Sequence, residues 1–141
     1  MYTSQGFAGG AGAYARVGAE SGAMAASPHQ LIAMLFDGAA AAIQMARLQM
    51  ARRETAAKGK SISKAINIID NGLKASLDPQ AAGPDGAALV ADLSALYDYI
   101  NQRLLYANLR NDPGLLDEAG RLLENIASAW RAIAPTAAGR P

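Results

Sequence analysis

Cysteine is absent from these 141 residues and histidine occurs once. The first absence excludes disulfide frameworks, thiolate zinc sites, iron–sulfur clusters and thiol catalysis together, and it fits a reducing cytosol. The second removes the di-iron chemistry of helical bundles, which takes a Glu-x-x-His motif from each of two helices. The lone His29 stands in the first turn of a predicted helix and reads as a solvated or internally bonded side chain. Aromatic residues make up 6 % of the chain and valine is scarce, so pleated sheet is disfavoured. An excess of charge is lacking too. The net charge is +1 and the basic residues are spread along the chain, which leaves no electrostatic footprint for nucleic acid. Residues 1–23 hold no continuous apolar run and predict neither a signal peptide nor a membrane span.

What is present is helix-forming residues with helical spacing: the chain is 51 % apolar, with Ala and Leu dominant. The first 26 residues, with GFAGGAGAYARVG among them, are too glycine-rich to nucleate a helix and are expected to form a mobile arm. Ser27 and Pro28 then supply a cap and a first-turn proline for a helix over about 28–52. Its stripe is Leu31, Leu35, Gly38, Ala42 and Met45. After RRETAAKGK, the spacing of Ile62, Ile66, Ile69, Leu73 and Leu77 predicts a second helix over about 58–77, with Lys60, Lys64, Asn67, Asn71 and Lys74 on the solvated face. The loop DPQAAGPDG stops it. A third helix is expected over about 86–110, with Leu89, Leu93, Leu96, Ile100, Leu104 and Ala107 inward. Asp112 and Pro113 open a fourth over about 113–134, with Leu115, Ala119, Leu122, Ile126, Ala129 and Ile133 inward, until Pro135 ends it before a tail over 135–141. Four matched helices with short links make an all-α, antiparallel up-down four-helix bundle over 27–134.

No chemistry-bearing constellation stands out. Asp37, Asp70, Asp92, Asp98 and Glu124 fall on or near polar faces, and GFAGGAG lacks the Lys-Ser/Thr pair and the flanking strand of a phosphate loop. The chain is expected to be no enzyme and to take no cofactor and no metal. An excess of apolar surface remains. The third helix carries Tyr99 and Tyr106 on one flank and Leu105 and Leu109 nearly opposite, the first adds a second stripe of Ile32, Phe36, Ile43 and Met50, and Ile68 lies off the second helix's stripe. Two readings stand. A four-helix core absorbs wide stripes, or the flanks form a docking groove for an amphipathic partner.

The strings ASPHQLIAMLFDGA (26–39), KAINIIDNGLKASLD (64–78), LSALYDYINQRLLYANLRND (93–112) and LLENIASAW (122–130), with AYARV (13–17) in the arm, resemble the flagellar secretion chaperone family FliS. The resemblance implies a cytosolic bacterial chaperone that binds the disordered C-terminal segment of new flagellin, blocks premature polymerisation and passes the subunit to a component of the flagellar export gate. It implies a client wrapped along grooves of a bundle, and an arm whose tyrosine, here Tyr14, lies over the binding surface. The residues expected to meet the partner are Tyr14 and Val17 in the arm, Ile66, Asn67, Asp70 and Asn71 on the second helix, and Tyr97, Tyr99, Leu104 and Asn108 on the third. For Ile66, Tyr97 and Leu104, plain core positions are an equal reading; for the Asn and Asp residues, a solvated face. The expected partners are flagellin and the export gate, with no nucleic acid, no membrane insertion, and a monomer or weak homo-oligomer. A self-associating helical protein is the rival reading.

Overall fold

The computed structural model describes residues 26–80 and 83–139, side chains of 134–139 excepted, and every regular element among them is helical. Helix α1 spans Pro28–Ala51. Helix α2 spans Thr55–Asn67 and continues through a π-helical stretch, Ile68–Leu73, into a 3₁₀ turn, Lys74–Ser76. Helices α3, Gly86–Arg110, and α4, Pro113–Gly139, complete the bundle. Helix α1 packs against α2 and α4, and α3 against α4 and α2, which closes the antiparallel four-helix ring.

The helix ends follow from local chemistry. The Ser27 hydroxyl accepts from the Gln30 backbone N–H at 3.1 Å while the Gln30 side chain accepts from the Ser27 N–H at 2.8 Å, a reciprocal cap. Helix α2 starts three residues before the expected 58. Arg53 takes a left-handed conformation, φ 60°, and turns the chain within a short link. Its first turn was hidden in the sequence because it is anchored by a lysine instead of an apolar residue. Lys58 is 2 % exposed, and its ammonium donates to the Asn108 carbonyl at 3.0 Å and to the Asn111 side chain. Asn111, in the left-handed region at φ 50°, ends α3, so a cation sits where that helix leaves carbonyls unpaired. Asp112 accepts from the Gly114 N–H at 2.9 Å and caps α4. Helix α4 passes Pro135 and runs to Gly139; the missing proline N–H takes one rung from the ladder without ending it.

The core corrects three stripes. In α1 the two expected stripes merge: Leu35, Phe36, Ala39, Ala42, Ile43 and Ala46 are all buried, because α1 faces two neighbours, while Met45 is exposed. In α4 the buried set is Leu116, Ala119, Leu123 and Ala127. Leu115, Leu122 and Ile126 are half-buried and Ala129 and Ile133 exposed, a rotation of about one residue that the adjacent leucine pairs permit. In α3, Tyr97, Ile100, Leu104 and Ala107 are buried, whereas Leu89 is exposed near the helix start. The wider π-helical turn brings Ile68 and Ile69 into the core together and sets Gly72 against Leu35. The off-stripe Ile68 of the sequence is thereby a core residue.

Candidate functional site

At the end of the bundle where α1 begins, the helices leave an apolar cavity of about 280 Å³. Ile32 and Phe36 of α1, Leu73 and Leu77 at the close of α2, Leu93 and Tyr97 of α3, and Ile126 and Trp130 of α4 line it, with Leu89 and Ile133 at exposed positions beside them. Tyr97 is 3 % exposed, and burial pushes its phenol up to about 12. Trp130 is held from two sides. Its indole N–H donates to the His29 carbonyl at 3.0 Å, His29 Nε2 donates to the Trp130 carbonyl at 2.9 Å, and the rings stack with centroids 4.8 Å apart. The single histidine is thus a tie between the start of α1 and α4, and it fixes one wall of the cavity.

A second open surface runs along α2 and the adjoining flank of α3. Asn67, Asp70 and Asn71 are exposed there, Ile66 is half-buried against the core, and Asn71 donates to Asn67 through its side-chain amide. Lys74 pairs with Asp98 at 2.7 Å, and that hydrogen bond holds its ammonium above the ordinary range. Leu105 is 48 % and Leu109 68 % exposed. Asn108 is half-buried with its carbonyl taken by Lys58, and the buried Asn101 Oδ1 has no donor.

The residues picked from sequence therefore do not form one patch. Ile66, Asn67, Asp70, Asn71 and Asn108 share the α2–α3 flank. Tyr99 lies on the opposite flank of α3, facing α4, where its hydroxyl donates to Glu118 at 2.6 Å; that bond raises its phenol. Tyr97 and Leu104 are core residues, the first reached through the cavity, the second fully buried. Tyr14 and Val17 lie outside the described residues. Sequence reasoning missed Trp130 as a cavity wall. The signal was a tryptophan one turn before the exposed Ile133 at an end where the stripes of α3 and α4 are left uncovered.

By length and composition α1 could cross a membrane, but in the bundle its apolar side is turned into the core. Among the described residues no group of three or more acidic or histidine side chains is placed to hold a metal ion.

Comparison with known proteins matches residues 10–137, and so nearly all of the four helices, to the family described as flagellar protein FliS. The flagellar secretion chaperone FliS of Salmonella typhimurium strain LT2 is 54 % identical over 137 residues, covering 97 % of this chain and 96 % of that protein. The protein of the same name from Escherichia coli strain K12 is 48 % identical over 122 residues, 86 % and 87 % of the two chains. That of Bacillus subtilis strain 168 is 31 % identical over 106 residues, 75 % and 74 %. Relatives named as chaperones place the chain outside the enzymes, and with this coverage it belongs to the FliS family of flagellar proteins.

Proposed function

We propose that the chain is a cytoplasmic flagellar secretion chaperone that binds the disordered C-terminal segment of flagellin, prevents its premature polymerisation and delivers it to the export gate. The observation that carries this reading is apolar surface the bundle leaves uncovered, above all Leu105 and Leu109 on α3, on the flank that farther along carries the polar run Asn67, Asp70 and Asn71 of α2. A segment that folds on binding loses about 2–5 kcal/mol of its interaction energy to ordering. A long path with apolar anchors and amide side chains along its edge offsets that loss. In this reading Ile66, Asn67, Asp70, Asn71 and Asn108 line the path and Leu104 supports it from beneath. Tyr97 faces a client side chain in the cavity, and Tyr14 and Val17 belong to an arm over the surface.

Calorimetric titration of the full chain with a peptide spanning the flagellin C-terminal segment tests the reading. The expected result is a one-to-one complex. No binding at micromolar peptide would overturn it, and a chain that instead grows in size on its own and ignores flagellin would favour self-assembly.

A further inference from the structure

The flank of α3 that faces α4 carries Tyr99, Arg103, Tyr106 and Arg110 at spacings that place all four on one side of the helix. Rings and guanidinium groups alternate along it. The Arg103 guanidinium carbon lies 4.9 Å from the Tyr99 ring centroid and 5.6 Å from that of Tyr106, and Arg110 lies 4.8 Å from Tyr106. The rings hold the two cations in place, and among the described residues neither forms an ion pair, Arg103 donating to the neighbouring Gln102 side chain at 3.4 Å. The ion pairs among the described residues use Arg47, Lys74 and Arg131, and the nearby carboxylate of Glu118 is engaged by the Tyr99 hydroxyl. Moreover, Arg103 Nε is buried and has no acceptor, which is rare for a guanidinium N–H. One turn to either side of Glu118, the half-buried Leu115 and Leu122 supply apolar shoulders.

A fixed guanidinium fork fits a carboxylate through two parallel hydrogen bonds. Arg103 and Arg110 are seven residues apart, so their heads are separated along the helix by roughly 10 Å, the rise of two turns. An acidic helix lying beside α3 meets both when it carries carboxylates at the same seven-residue spacing. Nucleic acid needs a longer cationic track, and the net charge of +1 does not supply one. We propose that this flank docks an acidic helical segment of a partner protein, with two carboxylates on Arg103 and Arg110 and an apolar residue against Leu115 and Leu122. The site lies on the other side of α3 from Asn101, Leu105 and Asn108, and it stands whether or not the α2–α3 surface holds flagellin.

The test uses the full chain, labelled with ¹⁵N, and two synthetic peptides with one Ala/Leu helical framework, carrying either Glu or Gln at two positions seven residues apart. At low ionic strength the Glu peptide is expected to shift the Arg103 Nε–Hε resonance and to bind about tenfold tighter than the Gln peptide, the difference that charge-assisted bonds supply. In Arg103→Gln/Arg110→Gln the preference should vanish. The single Arg110→Gln change, at an exposed position, should weaken the preference without touching the fold, and it carries the test if the double variant unfolds. Equal binding of the two peptides, or binding that leaves the Arg103 resonance unmoved, would overturn the proposal. So would a short oligouridylate that moves the same resonance and displaces the Glu peptide.

Discussion

Burial holds the proton on Tyr97 over a range where an unfolded chain has lost it. The phenol is pushed up to about 12 in the bundle, against an ordinary value of 10.0. The stability tied to this group is therefore complete below about pH 10 and is lost as pH rises through about 12, with an upper magnitude of about 2–3 kcal/mol. Tyr97→Phe removes the titrating group and keeps the ring. Urea denaturation of the two proteins at about pH 9 and about pH 11.5 is expected to show a gap that widens in favour of the variant at the higher pH; parallel losses would rule the assignment out. That Tyr97 belongs to the core was one of two readings its sequence position allowed, since an aromatic at helical spacing suits either a core or a wet groove. Lys58 was not legible at all. Its partners, Asn108 and Asn111, lie 50 and 53 residues away, and no local pattern announces a lysine that caps the far end of another helix.

At the scale of elements, the helices were legible through caps and punctuation, and their rotations were not. Ser27–Pro28 and Asp112–Pro113 mark starts by a local mechanism that needs no tertiary context. Which of two adjacent leucines in α4 faces inward is decided by how α4 settles between α1 and α3, and the pairs 115/116 and 122/123 leave that choice to packing. The π-helical turn is hidden for the same reason. It arises where Ile68, Ile69, Gly72 and Leu73 all turn inward, and the Ser76 hydroxyl donates to the Gly72 carbonyl at 2.6 Å, meeting one acceptor the irregular ladder exposes. A Cβ at Gly72 would stand 3.2 and 3.3 Å from the two terminal carbons of Leu35, itself in the core. Gly72→Ala gains helix propensity but forces Leu35 or the helix to move, and overpacking of this kind commonly costs about 1–3 kcal/mol. The expected outcome is a lower denaturation midpoint for Gly72→Ala that is relieved in Gly72→Ala/Leu35→Val. A Gly72→Ala protein as stable as the parent would show that α1 and α2 are not closely seated there.

For the molecule as a whole, the apolar excess has a different fate on two of the helices. The second stripe of α1 is absorbed by the core because that helix serves two neighbours, whereas Leu105 and Leu109 on α3 stay uncovered. The distinction depends on the final arrangement of all four helices, which is why the sequence could count spare apolar residues without saying which are spare. It has a thermodynamic consequence. The α2–α3 flank pairs Lys74 with Asp98 within itself, and for a client that lies across Leu105 and Leu109 the burial of their apolar area should dominate binding. Calorimetry of the flagellin peptide at several temperatures is then expected to give a clearly negative heat-capacity change, with an affinity that changes by less than about threefold between low and physiological salt. The acidic peptide on Arg103 and Arg110 should behave in the opposite way, losing affinity steadily as salt rises. If instead the flagellin peptide were the salt-sensitive ligand and Leu105→Ala/Leu109→Ala left its affinity unchanged, its path would lie elsewhere on the bundle, with the arginine flank of α3 the first place to look.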